Sequence, residues 1–153
     1  MLRRPARRLL KAPEPTHAER IADLKALGRL VRENQDAIVA AINADYGNRS
    51  EFETLFAEVF GVLDGVRYAS KRLKGWMKPR RRHVDLLTFA GARNRLIPQP
   101  LGVVGVIVPW NFPLFLSFSP LISIFAAGNR AMVKLVLQIV KRAEEGGCPR
   151  RRS

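Results

Sequence analysis

The chain has 153 residues, 47% of them hydrophobic, enough for one modest domain and too apolar for disorder throughout. Its 27 Lys and Arg stand against 13 Asp and Glu, a formal net charge of +14. A single cysteine, Cys148, excludes a disulfide scaffold within the chain, and a cytoplasmic setting is expected because no apolar run with a small-residue cleavage site opens the sequence.

The charge is clustered. Arg3, Arg4, Arg7, Arg8 and Lys11 open the chain; Lys71, Arg72, Lys74, Lys78, Arg80, Arg81 and Arg82 form a second run; no acid occurs between Asp85 and Glu144. Such runs attract phosphate or anionic lipid. They carry no nucleic-acid-binding motif, so the expectation is that acidic counterparts lie elsewhere and that nucleic acid is not a partner.

Residues 16–46 read as one helix. Thr16-His-Ala-Glu19 is a capping box, Ile21, Leu24, Leu27, Val31, Ile38 and Ile42 recur at helical spacing, and Gly47 is the stop. A second capping box, Ser50-Glu-Phe-Glu53, opens a helix over residues 50–77. Its apolar stripe of Phe52, Leu55, Phe56, Val59, Leu63, Val66, Leu73 and Trp76 is assigned to the core. The two helices are expected to pack as an antiparallel pair.

Over residues 83–99 the pattern becomes that of a β-arm: Leu86, Leu87 and Phe89, a turn at Gly91, then Leu96 and Ile97. Between Arg95 and Arg130 there is no charged residue. Leu101-Gly-Val-Val-Gly-Val-Ile-Val108 suits a strand buried on both faces. A membrane span is not expected, because Pro109, Pro113 and Pro120 each delete a helical hydrogen bond that lipid cannot replace. A strand, a helix from near Pro113 to Ala127 ended by Gly128-Asn129, and a strand at Ala131-Met-Val-Lys134 make the unit of a parallel α/β sheet. With neighbouring strands missing, this run would leave an exposed apolar patch.

Few of the residues form a recognisable site motif. There is no Gly-x-Gly-x-x-Gly and no phosphate loop; His17 and His83 lack ligand spacing, so no metal is expected. Cys148 lies in a Gly-Gly-Cys-Pro turn rather than in the oriented pocket a nucleophile needs. What remains is Pro109-Trp-Asn-Phe-Pro113 directly after a strand. An amide donor there can face a developing oxyanion, and open α/β sheets bind ligands at strand ends. Asn and Pro are also ordinary turn formers, and on these residues alone both readings stand.

The segment Pro100-Leu-Gly-Val-Val-Gly-Val-Ile-Val-Pro-Trp-Asn-Phe-Pro113, followed by Ala126-Ala-Gly-Asn-Arg-Ala-Met-Val-Lys134, resembles the aldehyde dehydrogenase superfamily, with flanks similar to its coniferyl aldehyde, class 3-like branch. The resemblance runs from about Thr16 to Lys134. It implies an α/β fold in which residues 1–134 are the N-terminal part of the domain: a helical pair, a β-arm and the first strand-helix-strand of the nucleotide-binding region, the cofactor-cleft segment being 100–134. It implies oxidation of an aldehyde with NAD or NADP, cysteine attack, and homo-oligomers of the whole protein. It further implies that Asn111 holds the oxyanion, that Ile107, Val108, Pro109 and Trp110 line the cofactor cleft, and that Lys134 reaches the adenosine ribose or a phosphate on it.

After Lys134 the chain departs from the family. Leu135, Val136 and Leu137 replace a small residue or Pro, Ser and Glu, so Leu137 stands where an acidic ribose ligand is expected. The nucleophile's Gly-Gln-x-Cys surroundings do not occur in these 153 residues. Residues 135–153 therefore read as an aberrant tail, of the kind a reading-frame shift or truncated gene produces, and little turnover is expected of the chain alone.

Overall fold

The structure is a computed structural model that describes residues 14–85 and 87–135. The sequence readings at Cys148, Leu137 and the tail beyond Leu135 lie outside the described residues.

Helix α1 (His17–Glu33) starts as its capping box requires: the Thr16 hydroxyl accepts from the Glu19 amide at 3.3 Å, and the Glu19 carboxylate accepts from the Thr16 amide at 2.7 Å. The Thr16 amide first, and the Thr16 hydroxyl donating to the same carboxylate at 2.8 Å, hold the Glu19 carboxyl below its usual range. The single helix expected over 16–46 is in fact two, because α1 ends at Asn34 and α2 (Gln35–Tyr46) begins after it. Asn34 donates its side-chain amide to the Leu30 carbonyl at 2.8 Å, and a side chain that bonds its own backbone competes with the helical ladder. Gly47, at φ 75°, stops α2 in the left-handed conformation that glycine adopts without a Cβ penalty.

Helix α3 (Glu51–Glu53) runs without a break into a π-helical segment (Thr54–Phe60) and then α4 (Gly61–Trp76). The second capping box does not form: Ser50 makes no side-chain cap bond, and the Glu53 carboxylate turns to Arg49 at 3.5 Å. The expected apolar stripe is also split. Of its residues Val59, Val66 and Leu73 are buried, together with Val62 and Ala69 outside it, whereas Phe52, Phe56 and Trp76 are 74%, 64% and 39% exposed, as is Phe60 at 59%. The wider π turn is the cause. It rotates Thr54 and Glu58 into the interior and lines the three phenylalanines along the outer face, successive rings 6.0 Å apart.

The β-arm lies only partly where it was expected, its second strand within residues 83–99 and its first before them. Strands β1 (Arg80–Arg82) and β2 (Asn94–Leu96) pair antiparallel, Arg81 opposite Arg95. Leu87 to Phe89 form a turn instead of a strand, because Asp85 accepts from the Leu87 amide at 3.1 Å and the Thr88 hydroxyl at 2.6 Å. Those bonds, the Thr88 hydroxyl first, hold the Asp85 carboxyl below its usual range. Gly91 sits at φ 79° at the turn.

Strands β3 (Val103–Val108) and β4 (Arg130–Leu135) pair in parallel, joined by helix α5 (Pro113–Ala126). This is the expected strand-helix-strand unit, and the chain is a partial α/β domain. Pro113 fits the first turn of α5, where its missing N–H costs nothing. Strand β3 was expected to be covered on both faces and is not: Val104 and Val106 pack on the core, while Val103 and Ile107 on the other face are exposed, Ile107 by 78%. Among the described residues, helices cover only one side of this sheet.

Leu24, Leu27 and Val31 of α1, Val62, Val66 and Leu73 of α4, and Leu114, Leu121 and Ile122 of α5 form one core. Gly28 permits the close approach of α1 and α4, since a Cβ there would lie 3.2 Å from Val66 Cγ1. Among the described residues no helix is long and apolar enough to cross a membrane.

Candidate functional site

The turn from Pro109 to Phe112 leaves the carboxyl end of β3 and enters α5, which is where open α/β sheets present ligand-binding groups. Three side chains from the helical region hold it. The Tyr46 hydroxyl donates to the Trp110 carbonyl. Arg49 donates to the Asn111 carbonyl at 3.3 Å. Glu58, fully buried, accepts from the Leu114 amide at 2.7 Å and the Phe115 amide at 3.1 Å, satisfying first-turn donors of α5 that have no intrahelical partner.

Arg49 and Glu58 are themselves an ion pair, 3.1 Å apart and both buried. The guanidinium lies over the rings of Tyr46, at 5.1 Å, and Phe112, at 4.8 Å. Burial raises the Tyr46 phenol above its ordinary value, and the nearby Arg49 cation partly offsets this. The phenol therefore stays protonated and able to donate across the neutral range.

The residues named from the sequence fall in two places. Asn111 is exposed and shares a cavity of about 280 Å³ with Tyr46, Asn48, Arg49 and Glu53. Ile107 and Lys134 are direct partners in the parallel register, both exposed, so the ends of β3 and β4 bring them side by side. Pro109 and Trp110 are exposed beside them. Val108 is 1% exposed, so its side chain belongs to the core and only its backbone faces the turn. A larger cavity of about 800 Å³ between α1 and α4 contains no residue of this turn. His17 and His83 are exposed, and no group of metal-ligating side chains occurs among the described residues.

Tyr46, Arg49 and Glu58 were missed in the sequence. The signal available was faint: a Glu placed in a helix among apolar neighbours, Val59 and Leu55, where a lone carboxylate needs a partner. Arg20 was likewise missed. It is buried, donates to the Ala126 carbonyl at 3.2 Å, and fills the space beside Gly128.

A parallel strand-helix-strand with an amide-bearing turn at its carboxyl end defines part of an open α/β domain of the ligand-binding kind. Residues 6–139 match the aldehyde dehydrogenase family, and the chain belongs to that family. It is 52% identical to a probable coniferyl aldehyde dehydrogenase of Pseudomonas aeruginosa over 126 residues, 82% of this chain and 26% of the relative. It is 44% identical to a coniferyl aldehyde dehydrogenase of a Pseudomonas species over 115 residues, 75% of this chain and 23% of the relative. Among solved structures it is similar to PnpE in complex with nicotinamide adenine dinucleotide, with a TM-score of 0.70 and 26% identity, covering 95% of this chain and 30% of that one. The chain thus spans about a quarter of the length of the curated relatives it matches.

Proposed function

We propose that this chain serves the NAD(P)-dependent oxidation of an aldehyde, of the aromatic coniferyl kind, to its carboxylic acid. In this reading residues 1–134 are the leading part of the domain and the setting is cytoplasmic. The observation that supports it most is the Asn111 turn: an exposed amide at the end of a parallel strand, its backbone anchored by Arg49 and the adjoining helix start by Glu58. The Asn111 amide donates to the oxygen of the aldehyde carbon as that oxygen gains charge on nucleophilic attack. The attacking cysteine comes from a segment of the family beyond these residues.

The cofactor cleft is assigned to Ile107, the Val108 backbone, Pro109, Trp110 and Lys134. Their placement fits a dinucleotide: Ile107 and Trp110 offer exposed apolar surface, and Lys134 offers a cation beside Ile107 for a ribose oxygen or phosphate. A bound nicotinamide supplies the hydride acceptor, while the chain's residues orient and stabilise charge.

The test is a chimera in which residues 14–135 replace the matching segment of the Pseudomonas aeruginosa relative. NADH or NADPH formation from coniferyl aldehyde is expected, and Asn111→Ala is expected to lower kcat by about 10²–10³-fold, the usual loss of one oxyanion donor. Full kcat in the Asn111→Ala chimera would refute the assignment. The 153 residues alone are expected to form no reduced cofactor at an enzymatic rate.

A second reading, favoured by the exposed Phe52, Phe56, Phe60 and Ile107, is that the chain pairs with intact homologous subunits, in keeping with homo-oligomers of the whole protein. Co-purification with such a subunit supports it, and elution of the two apart refutes it.

A further inference from the structure

We propose that Arg49 and Glu58 form a positioning device for Asn111, an inference that rests on the oxyanion role given to Asn111 above. Its basis is a closed chain of contacts. Glu58 accepts from the Leu114 and Phe115 amides at 2.7 and 3.1 Å, fixing the start of α5. Arg49 bonds the Asn111 carbonyl at 3.3 Å and pairs with Glu58 at 3.1 Å. Tyr46 holds the neighbouring Trp110 carbonyl. The Asn111 carbonyl, the Trp110 carbonyl before it and the Leu114 and Phe115 amides after it are thus held by Arg49, Glu58 or the Tyr46 ring beneath Arg49.

The arrangement suits positioning better than scaffolding alone. Two charges removed from water cost more than apolar packing of the same volume would, and such pairs often add no net stability. Here the pair touches the one turn that carries the amide donor. The planar guanidinium lies over the Tyr46 and Phe112 rings and cannot be replaced by an ammonium without losing that stacking. A donor displaced by about 1 Å loses up to about a hundredfold in rate, so a device that prevents such drift acts on kcat rather than on binding.

Two measurements test this. In the 153-residue chain, hydrogen exchange of the Leu114 and Phe115 amides is followed by NMR. Glu58→Ala is expected to speed exchange at those two amides by at least about tenfold relative to Leu24 and Leu27 of α1, since exchange reports local opening. Equal exchange in both proteins overturns the proposal. In the chimera, Glu58→Gln keeps an acceptor but removes the charge, and Arg49→Lys keeps the charge but removes the planar group stacked on the Tyr46 and Phe112 rings. Both are expected to lower kcat by about tenfold or more while KM stays within about twofold, because the lost interaction acts only in the transition state. Unchanged kcat in both variants, with Asn111→Ala still impaired, overturns the positioning role alone. Unchanged kcat in Asn111→Ala overturns the oxyanion reading beneath it.

Discussion

Glu58 and Arg20 sit at opposite ends of one helix. The Glu58 carboxylate accepts the Leu114 and Phe115 amides at the start of α5, and the Arg20 guanidinium donates to the Ala126 carbonyl at its end, 3.2 Å away. Helix α5 carries no charge of its own and its residues are mainly apolar. Two other helical segments therefore supply what its macrodipole favours, an anion at the N-terminus and a cation at the C-terminus. The same two residues lock α5 against α1 and the π-helical segment, so the helix that follows Asn111 is fixed at both ends.

Removing the anion should show how much this matters. Glu58→Ala leaves Arg49 as an unpaired buried cation and strips two amides of their acceptor. Breaking one partner of a buried pair typically costs about 3–5 kcal/mol. Urea denaturation should therefore place the Glu58→Ala midpoint well below that of the wild type, with Glu58→Gln between the two. Equal stability of wild type and Glu58→Ala would mean the pair is not formed in solution.

Gly128 offers a cleaner contrast. It lies at φ 80°, and a Cβ there would meet Arg20 Cζ at 2.7 Å. Gly47 has a similar φ of 75° but nothing within 4 Å. Each alanine substitution bears the left-handed backbone cost of about 1–2 kcal/mol. Only Gly128→Ala must also displace the guanidinium from Ala126. The expected order of thermal stability is wild type, then Gly47→Ala, then Gly128→Ala; a reversed order for the two variants would argue against the Arg20 placement.

The fold was legible in the sequence wherever local signals agreed with burial. The Thr16 capping box, the Gly47 stop and the Pro113 start of α5 are set by neighbours a few residues away, and periodicity finds them. The turn bearing Asn111 was legible because its residues are distinctive. What was not legible depends on distant chain. Glu58 meets Leu114, and Arg20 meets Ala126, across 56 and 106 residues. The Glu53 side chain abandoned its expected cap for Arg49, a choice made by tertiary geometry. The π-helical segment has no sequence period of its own, so the phase of Phe52 and Phe56 was misread. The first β-arm strand, Arg80–Arg82, has no apolar residue to mark it as a strand.

Alkaline pH should expose the Tyr46 contact. Burial raises its phenol above the ordinary value of 10.0, with Arg49 opposing. A raised folded-state value means that the neutral phenol is favoured in the native chain. That contribution is complete below the unfolded value and is lost as pH rises through the folded one. Stability should thus fall above about pH 10. In Tyr46→Phe this alkaline loss should shrink, at the expense of about 0.5–1.5 kcal/mol at neutral pH from the missing hydrogen bond. An ultraviolet titration of phenolate in both proteins checks the assignment; a Tyr46 signal that titrates below the free phenol would contradict it.

The aromatic ladder provides the last test, because sequence and structure disagree on it. If Phe56 belonged to the core, as the helical stripe implied, Phe56→Ala would cost about 3–5 kcal/mol. In the structure it is 64% exposed and touches Phe52 and Phe60 through stacked rings. Its truncation should then cost less than about 1.5 kcal/mol, the scale of an aromatic pair. Val62→Ala, from a fully buried position four residues beyond Glu58, is the internal comparison and should be the more harmful change although it removes fewer atoms. Parallel urea curves decide between the two phases of this helix. A Phe56→Ala loss exceeding that of Val62→Ala would restore the regular helical stripe, and it would remove the rotation that brings Glu58 to the start of α5.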